Sequence, residues 1–182
     1  MVHLLTSKLS EAEFNRLLKE VFENSIVDHS HNKDNITIHE KFSISSKNKN
    51  ATDLHQTVIL ASIVEKEYKI KEEAPLIASV FKNRLKHNIG LYSCATIVYI
   101  ITEIQGKPHP ERILTKDTKI DSPYNTYKWA GLTPGPISNP GLTALDAATN
   151  TPKTPYFFFQ VENEKTGKHV FTETFEEHKI NH

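Results

Sequence analysis

Residues 58–67 read Val-Ile-Leu-Ala-Ser-Ile-Val-Glu-Lys-Glu, an apolar run that ends in two acids. The run follows Asp53, a residue type that often caps helices, so we expect a helix from Asp53 to about Tyr68. A carboxylate beside apolar residues must find a partner or give up its charge. Glu65 is therefore a candidate general acid. The alternative is an ordinary helix end, at which the two acids emerge into water.

The two acids are too close in sequence to share one face of a helix. Residues two apart on a helix point about 200° away from each other. Glu65 and Glu67 therefore cannot both face one substrate, and we expect Glu67 to face solvent or a partner such as Lys71. The spacing favours a mechanism with a single acid over a pair of carboxylates.

Charge and composition exclude several classes of partner. The chain has 182 residues, with 22 Lys and Arg against 22 Asp and Glu, so nothing in its net charge points to nucleic acid or an anionic membrane. No apolar segment approaches the roughly 20 residues that span a bilayer. Cys94 is the single cysteine, which rules out a disulfide within the chain. We expect no nucleic-acid partner and no membrane segment in this chain.

The composition changes near residue 50. Residues 1–50 are predicted to form an N-terminal arm, with an amphipathic helix over Glu11–Asn24 and a polar connection over Asp28–Asn50. Residues 28–31, Asp-His-Ser-His, lack a third ligand at a recognisable spacing, so we expect a solvated loop and no metal. Residues 51–182 are predicted to form the body of the protein.

The first half of the body alternates helices with punctuated segments. A helix is predicted to begin at residues 73–75, Glu-Ala-Pro, and to end at Gly90. The pattern of residues 96–104 does not distinguish strand from helix. Residues 121–141 are rich in proline and glycine, which predicts a stiff and functional loop.

The second half predicts a short helix and a hairpin. We expect a helix over Leu142–Asn150, then two strands over 156–161 and 168–171 joined at Gly167. Residues 174–177 form a capping box that opens a last helix. The predicted fold class is α+β, with helices packed around a small antiparallel sheet and an N-terminal helical arm.

Five motifs, in order along the chain, resemble the YceG-like family of endolytic lytic transglycosylases of bacterial peptidoglycan. The motifs are residues 60–67 with 78–85, residues 122–127, residues 131–141, residues 154–159, and residues 169–171 with 177–178. The resemblance covers roughly residues 54–182. One such motif is weak, whereas five in the same order indicate the family.

The resemblance implies that Glu65 is the catalytic acid. In this family one glutamate protonates the glycosidic oxygen between N-acetylmuramic acid and N-acetylglucosamine. The same residue then acts as base while the muramyl C6 hydroxyl closes a 1,6-anhydro ring. No water is consumed, so no second carboxylate is needed, and no metal or organic cofactor is implied. This chemistry agrees with the single acid expected from the helix geometry.

The resemblance also implies substrate contacts. Tyr124, Asn125 and Tyr127 lie on the stiff loop and are expected to bind sugar; their alternative role is to anchor the loop. Asn83 is expected to face the helix of Glu65 and to help organise the site. Its alternative is an ordinary position on a helix surface.

The chain departs from the family at one motif. The family usually has Ser-Asp-Pro-Thr where residues 93–96 of this chain read Ser-Cys-Ala-Thr. Ser93 and Thr96 remain as hydrogen-bonding groups and candidate substrate contacts. No base accompanies Cys94 in the sequence, so we expect it to be a buried, inert thiol.

The resemblance further implies where the protein acts. Its expected partners are peptidoglycan glycan strands and glycan-polymerising synthases, at the periplasmic face of the inner membrane. The expected role is to end the elongation of nascent strands. Two alternatives stay open: a peptidoglycan-binding or scaffold protein that has lost turnover, and a muramidase that uses water.

Overall fold

The fold is α+β, as predicted. The computed structural model describes the backbone of residues 51–180 and the side chains of residues 54–180. Within that part, five α-helices accompany one two-stranded antiparallel sheet. They are α1 (Ala51–Val64), α2 (Ala74–Lys86), α3 (Cys94–Tyr99), α4 (Leu142–Thr149), β1 (Phe158–Asn163), β2 (Lys168–Thr172) and α5 (Phe175–Ile180). Shorter turns are 3-10 helices at Lys71–Glu73 and Asp117–Lys119 and a π-helix at Ile100–Ile104.

The residues discussed below all belong to one unit of the chain, Val58–His182. The predicted helix over Glu11–Asn24, the polar connection and the cluster at residues 28–31 lie outside the described residues. The boundary predicted between residues 50 and 51 stays a prediction. No helix within residues 51–180 is long and apolar enough to cross a membrane.

Helix α1 is the buried helix that its apolar run predicts. Every residue from Val58 to Val64 is buried, on all sides of the helix. The helix ends at Val64, so the predicted end near Tyr68 is wrong. The amides of Lys66 and Glu67 bond to carbonyls three residues back, at 3.1 and 3.0 Å, which tightens the chain into a turn.

Ser62 joins α1 to the stiff loop. Its hydroxyl donates to the Ile59 carbonyl at 2.7 Å and accepts the Ile137 amide at 2.9 Å. Its carbonyl accepts the Ser138 hydroxyl at 2.8 Å. A helix must find partners for its last carbonyls and buried amides need acceptors, and this serine meets both needs.

Helix α2 begins at Ala74, with Pro75 in its first turn as predicted. It ends at Lys86, earlier than the predicted end at Gly90, because Asn88 takes the left-handed conformation (φ 55°) that closes the helix. Gly90 has a different role. A Cβ at Gly90 would lie 2.9 Å from the Thr126 carbonyl oxygen, so only glycine lets these two segments approach.

The segment that the sequence left undecided is helical. Helix α3 continues directly into the π-helix, and Ile97, Ile100 and Ile101 form a buried cluster. Tyr124 and Tyr127 of the stiff loop pack against this cluster. The apolar segment therefore supports the loop that was predicted to bind substrate.

The hairpin and last helix follow the prediction. Strands β1 and β2 pair antiparallel with Phe159 opposite Phe171, and Gly167 supplies the left-handed turn residue (φ 73°). The Phe159 ring meets Phe81 of α2 edge to face at 5.7 Å. The Thr174 hydroxyl accepts the Glu177 amide at 3.2 Å, which confirms the capping box at α5.

Candidate active site

Glu65 lies in the turn immediately after α1, where its carboxyl is held by two donors. The Tyr68 hydroxyl donates to Oε2 at 3.1 Å, and the Gly141 amide donates to the same oxygen at 3.0 Å. Within the described residues, Oε1 accepts no hydrogen bond. One oxygen of Glu65 thus has two hydrogen-bond donors, while the other has no hydrogen-bond partner among the described residues.

The second donor places Glu65 at the start of α4. Gly141 is the residue that precedes the helix, and its backbone is extended (φ −79°, ψ 174°). Burial and the neighbouring Glu65 carboxylate raise the pKa of Tyr68, so its hydroxyl keeps its proton and remains a donor. The turn after α1, the tyrosine and the helix start together fix the direction of the carboxyl.

Glu67 points to a different group of residues. The Ser93 hydroxyl donates to Oε1 of Glu67 at 2.5 Å, so the expectation that Glu67 faces solvent or Lys71 is wrong. Both acids lie beyond the end of α1, so the helical angle between them does not decide their directions. Burial raises the pKa of Glu67, against the opposing effects of the Ser93 bond, His169 and Arg84.

Ser93 is itself fixed by two threonines. The Ser93 amide donates to the Thr126 hydroxyl at 3.1 Å, and the Thr96 hydroxyl donates to the Ser93 carbonyl at 2.7 Å. The two threonine hydroxyls also bond to each other at 2.9 Å. Ser93, Thr96 and Thr126 are all buried, so this network connects α3 to the stiff loop from inside the fold.

The stiff loop carries two half-buried tyrosines, and a buried asparagine between them in the sequence fixes its backbone. Asn125 is fully buried and donates its amide hydrogens to the carbonyls of Thr118 and Ile120, at 3.0 and 2.7 Å. Tyr124 and Tyr127 are half-buried, and burial raises the pKa of both hydroxyls. The structure therefore offers the two tyrosine hydroxyls as neutral hydrogen-bonding groups, while Asn125 shapes the loop that carries them.

Cys94 is exposed, so the expectation of a buried thiol is wrong. It is the first residue of α3, and its sulfur lies 3.0 Å from the Tyr127 hydroxyl oxygen. The position at which the family usually has aspartate therefore still contacts the stiff loop. A thiol forms weaker hydrogen bonds than a carboxylate does.

Asn83 and Arg84 connect α2 to the segment before the hairpin. The Asn83 amide donates to the carbonyls of Thr154 and Tyr156, at 2.9 and 2.8 Å. Arg84 is buried and donates to the carbonyls of Phe157 and Leu91, at 2.7 and 2.6 Å. These bonds organise the fold around the site, and a substrate contact by Asn83 stays a prediction.

Several residues of the site escaped the sequence analysis. Tyr68 lies three residues after Glu65, a spacing that brings side chains together in a helical turn and is the one local signal that was available. Gly141, Arg84 and Thr126 act through contacts between distant segments. Among residues 51–180, no group of three His, Cys, Asp or Glu side chains is arranged to hold a metal ion.

Comparison with known protein families gives a match for this sequence. The profile of the YceG-like family matches residues 9–182, almost the whole chain. The chain belongs to the YceG-like family. Relatives support the match. The endolytic murein transglycosylase of Bacillus subtilis (strain 168) is 44% identical over 134 residues, which is 74% of this chain and 35% of that protein.

Two further similar proteins show the same partial overlap. The endolytic murein transglycosylase of Streptococcus pneumoniae serotype 2 is 37% identical over 135 residues, which is 74% of this chain and 24% of that protein. A crystal structure of a YceG-like protein from Listeria monocytogenes has a TM-score of 0.66 and 38% identity. The match covers 80% of this chain and 44% of that one. The chain thus spans about a third or less of these two curated relatives.

Proposed function

We propose that this YceG-like chain is an endolytic transglycosylase of peptidoglycan, and that Glu65 is its catalytic acid. The observation that carries the proposal is the Glu65 carboxyl, which is fixed through Oε2 and free at Oε1. The relatives named endolytic murein transglycosylase supply the reaction class. The proposed bond is the one between N-acetylmuramic acid and N-acetylglucosamine.

The hydrogen bonds of Glu65 support one position for the acid proton in the proposed reaction. Tyr68 and Gly141 both donate to Oε2, so the lone pairs of that oxygen are already engaged. In the proposed reaction the acid proton is therefore carried by Oε1, the oxygen that is to approach the glycosidic oxygen. Because Oε2 is held, the carboxyl does not have to be oriented at the moment of reaction.

The proposed reaction needs this one acid. Oε1 of Glu65 donates its proton to the glycosidic oxygen as the bond from C1 of the muramyl sugar to that oxygen breaks. The C6 hydroxyl of the same sugar then attacks C1, and Glu65 takes the hydroxyl proton. The products are a free hydroxyl on one fragment and a 1,6-anhydro end on the other. Atoms and protons balance without water.

The stiff loop is proposed to hold the sugar. Tyr124 and Tyr127 offer neutral hydroxyls and ring faces that can hydrogen-bond to sugar hydroxyls and pack on their apolar sides. Asn125, Ser93 and Thr96 are buried and shape this surface from beneath. The partners proposed with this activity are glycan strands and their synthases in the cell envelope, where cleavage ends strand elongation.

The test is to incubate the full chain with uncrosslinked glycan strands and to measure the masses of the products by mass spectrometry. Wild type is expected to give anhydro ends, which are lighter by one water than reducing ends. Glu65→Gln keeps the size of the side chain but removes the acid proton, so the rate should fall by about 100- to 10,000-fold. The matched control is Glu72→Gln, the same change at an exposed residue.

Each of the other outcomes would indicate a different activity for this protein. Reducing ends would indicate a muramidase, and intact strands that still bind the chain would indicate a protein without turnover. Glu65→Gln with the wild-type rate would overturn the single-acid mechanism for any product. The geometry favours the lyase because the Glu67 carboxyl is bonded to Ser93, whereas an inverting hydrolase needs its second carboxylate facing a water.

A further inference from the structure

Glu67 is a titratable group close to the proposed acid that the reaction does not use. It lies two residues after Glu65, and its carboxyl accepts the Ser93 hydroxyl at 2.5 Å. Three further groups act on its surroundings: Arg84 of α2, His169 of β2 and Tyr127 of the stiff loop. The Glu67 carboxyl is therefore bonded to Ser93 and feels the charges of groups on α2 and β2.

The segment that brings Ser93 to Glu67 is held in an unfavourable conformation. Tyr92, the preceding residue, has a positive φ of 51°, which is uncommon for a residue with a bulky side chain. The Tyr92 amide donates to the Thr126 carbonyl at 3.3 Å, and the Ser93 amide donates to the Thr126 hydroxyl. The surrounding contacts therefore hold Tyr92 in a conformation that it would not favour by itself.

We propose that Glu67 is a positioning residue that holds the loop of Tyr127 against the turn of Glu65. The connection runs from the Glu67 carboxyl to Ser93 and from Ser93 to Thr126, which lies next to Tyr127 in the chain. This connection keeps the distance between Glu65 and the sugar-binding loop constant. The inference rests on the proposed function and adds a second carboxyl to it.

The charge of Glu67 is needed for this role. A carboxylate accepts the Ser93 hydroxyl strongly and is attracted by Arg84 and by His169 when the latter is protonated. Once Glu67 takes up a proton these attractions weaken. Burial raises the pKa of Glu67, so this loss begins at a higher pH than for an exposed glutamate. Cleavage by wild type is therefore expected to decline on the acid side of its pH profile.

The burial of Glu67 has opposite consequences for cleavage and for the stability of the fold. Because folding raises the pKa of Glu67, the folded chain holds that proton more tightly than the unfolded chain does. The stabilisation is complete at pH values below the unfolded pKa and is lost as the pH rises through the raised value. Above the raised pKa the ionised Glu67 side chain therefore disfavours folding, and there Glu67→Gln should melt at the same temperature as wild type or higher.

The test compares Glu67→Gln, Ser93→Ala and the double variant of the full chain, with uncrosslinked glycan strands as substrate. We expect kcat to fall by about tenfold in each single variant, with KM nearly unchanged, because misplaced groups slow the chemical step. The double variant should be no slower than the singles, since both changes break one connection. Glu67→Gln should also lose the acid-side decline of the pH profile.

The controls separate this inference from the proposed function. Glu72→Gln, at an exposed position, should behave as wild type throughout. If Glu67→Gln also behaved as Glu72→Gln, with a parallel pH profile, the positioning role would be wrong while the function stood. If the losses of Glu67→Gln and Ser93→Ala simply added, the connection through Ser93 would be wrong. Full cleavage by Glu65→Gln would instead overturn the proposed function itself.

Discussion

Replacing Ser62 by alanine tests how the stiff loop is fastened to α1. The hydroxyl of this fully buried serine is the acceptor for the Ile137 amide at 2.9 Å. In Ser62→Ala the amide of Ile137, a residue only 4% exposed, loses that acceptor in a place that water does not reach. The loop that carries Gly141 to Glu65 is then less firmly held.

The size of the effect follows from these bonds. A buried amide without its partner costs about 1–3 kcal/mol. The Ser62 hydroxyl also donates to Ile59, but that carbonyl lies inside α1, where helical bonding serves it as well, so the loss is counted once. We therefore expect Ser62→Ala to lower the free energy of unfolding by about 2 kcal/mol, or the Tm by roughly 4–8 °C for a chain of this size.

The assay is thermal and urea unfolding of the full chain, followed by circular dichroism. Thr118→Ala is the control, because it also removes a hydroxyl that bonds to a backbone carbonyl, but that hydrogen bond is exposed to solvent. Its expected loss is within about 0.5 kcal/mol. Equal losses in Ser62→Ala and Thr118→Ala would refute the argument, since burial of the orphaned amide would then have no measurable effect.

Substitutions at two further positions, Gly141 and Glu73, test other contacts of the protein. Gly141→Pro suits the backbone (φ −79°) but removes the amide that donates to Glu65, so cleavage should slow by about ten- to a hundredfold. Gly141→Ala keeps that amide, and its Cβ would lie at an ordinary contact distance of 3.6 Å from Oε2 of Glu65. The cleavage rate of Gly141→Ala should therefore stay close to that of wild type. Equal rates for the two Gly141 variants would contradict the role of the amide. Glu73→Gln weakens the contacts of Glu73 with the His169 ring (2.7 Å) and amide (3.2 Å), in a pair only 12% and 5% exposed. The unfolding free energy should fall by about 2 kcal/mol, measured in urea; an unchanged midpoint would show that the pair does not hold the hairpin.

Local patterns in the sequence predicted the local elements well. The hairpin around Gly167, the short helix after Gly141 and the capping box at Thr174 each depend on residues close together in the chain. Each also has a clear physical reason, such as a left-handed turn residue or a hydroxyl that caps a helix. Such signals need no knowledge of the rest of the fold.

The end of α1 was mispredicted because its cause is distant in sequence. Residues 65–67 carry the residue types of a helix, and their pattern continues the one before it. The bonds that fasten the end of α1 and the turn after it join Glu65 to Gly141 and Ser62 to Ile137, across separations of 76 and 75 residues. Tertiary contacts of this length override local helix propensity.

The directions of the two acids could not be predicted for the same reason. Glu67 reaches Ser93, 26 residues away, and that contact depends on the backbone conformation of Tyr92. The family resemblance singled out Glu65 but gave no role to Glu67. Only the folded arrangement shows that the Glu65 carboxyl has one oxygen without a donor, whereas the Glu67 carboxyl is bonded to Ser93.

The central claim is that Glu65 cleaves glycan without water, and cleavage in water enriched in heavy oxygen tests it most directly. If the muramyl C6 hydroxyl closes the ring, the new ends are anhydro sugars that carry no heavy oxygen, and Glu65→Gln forms almost none of them. Mass spectrometry of the fragments reads both results. Heavy oxygen in newly formed reducing ends, or anhydro ends formed by Glu65→Gln at the wild-type rate, would contradict the account.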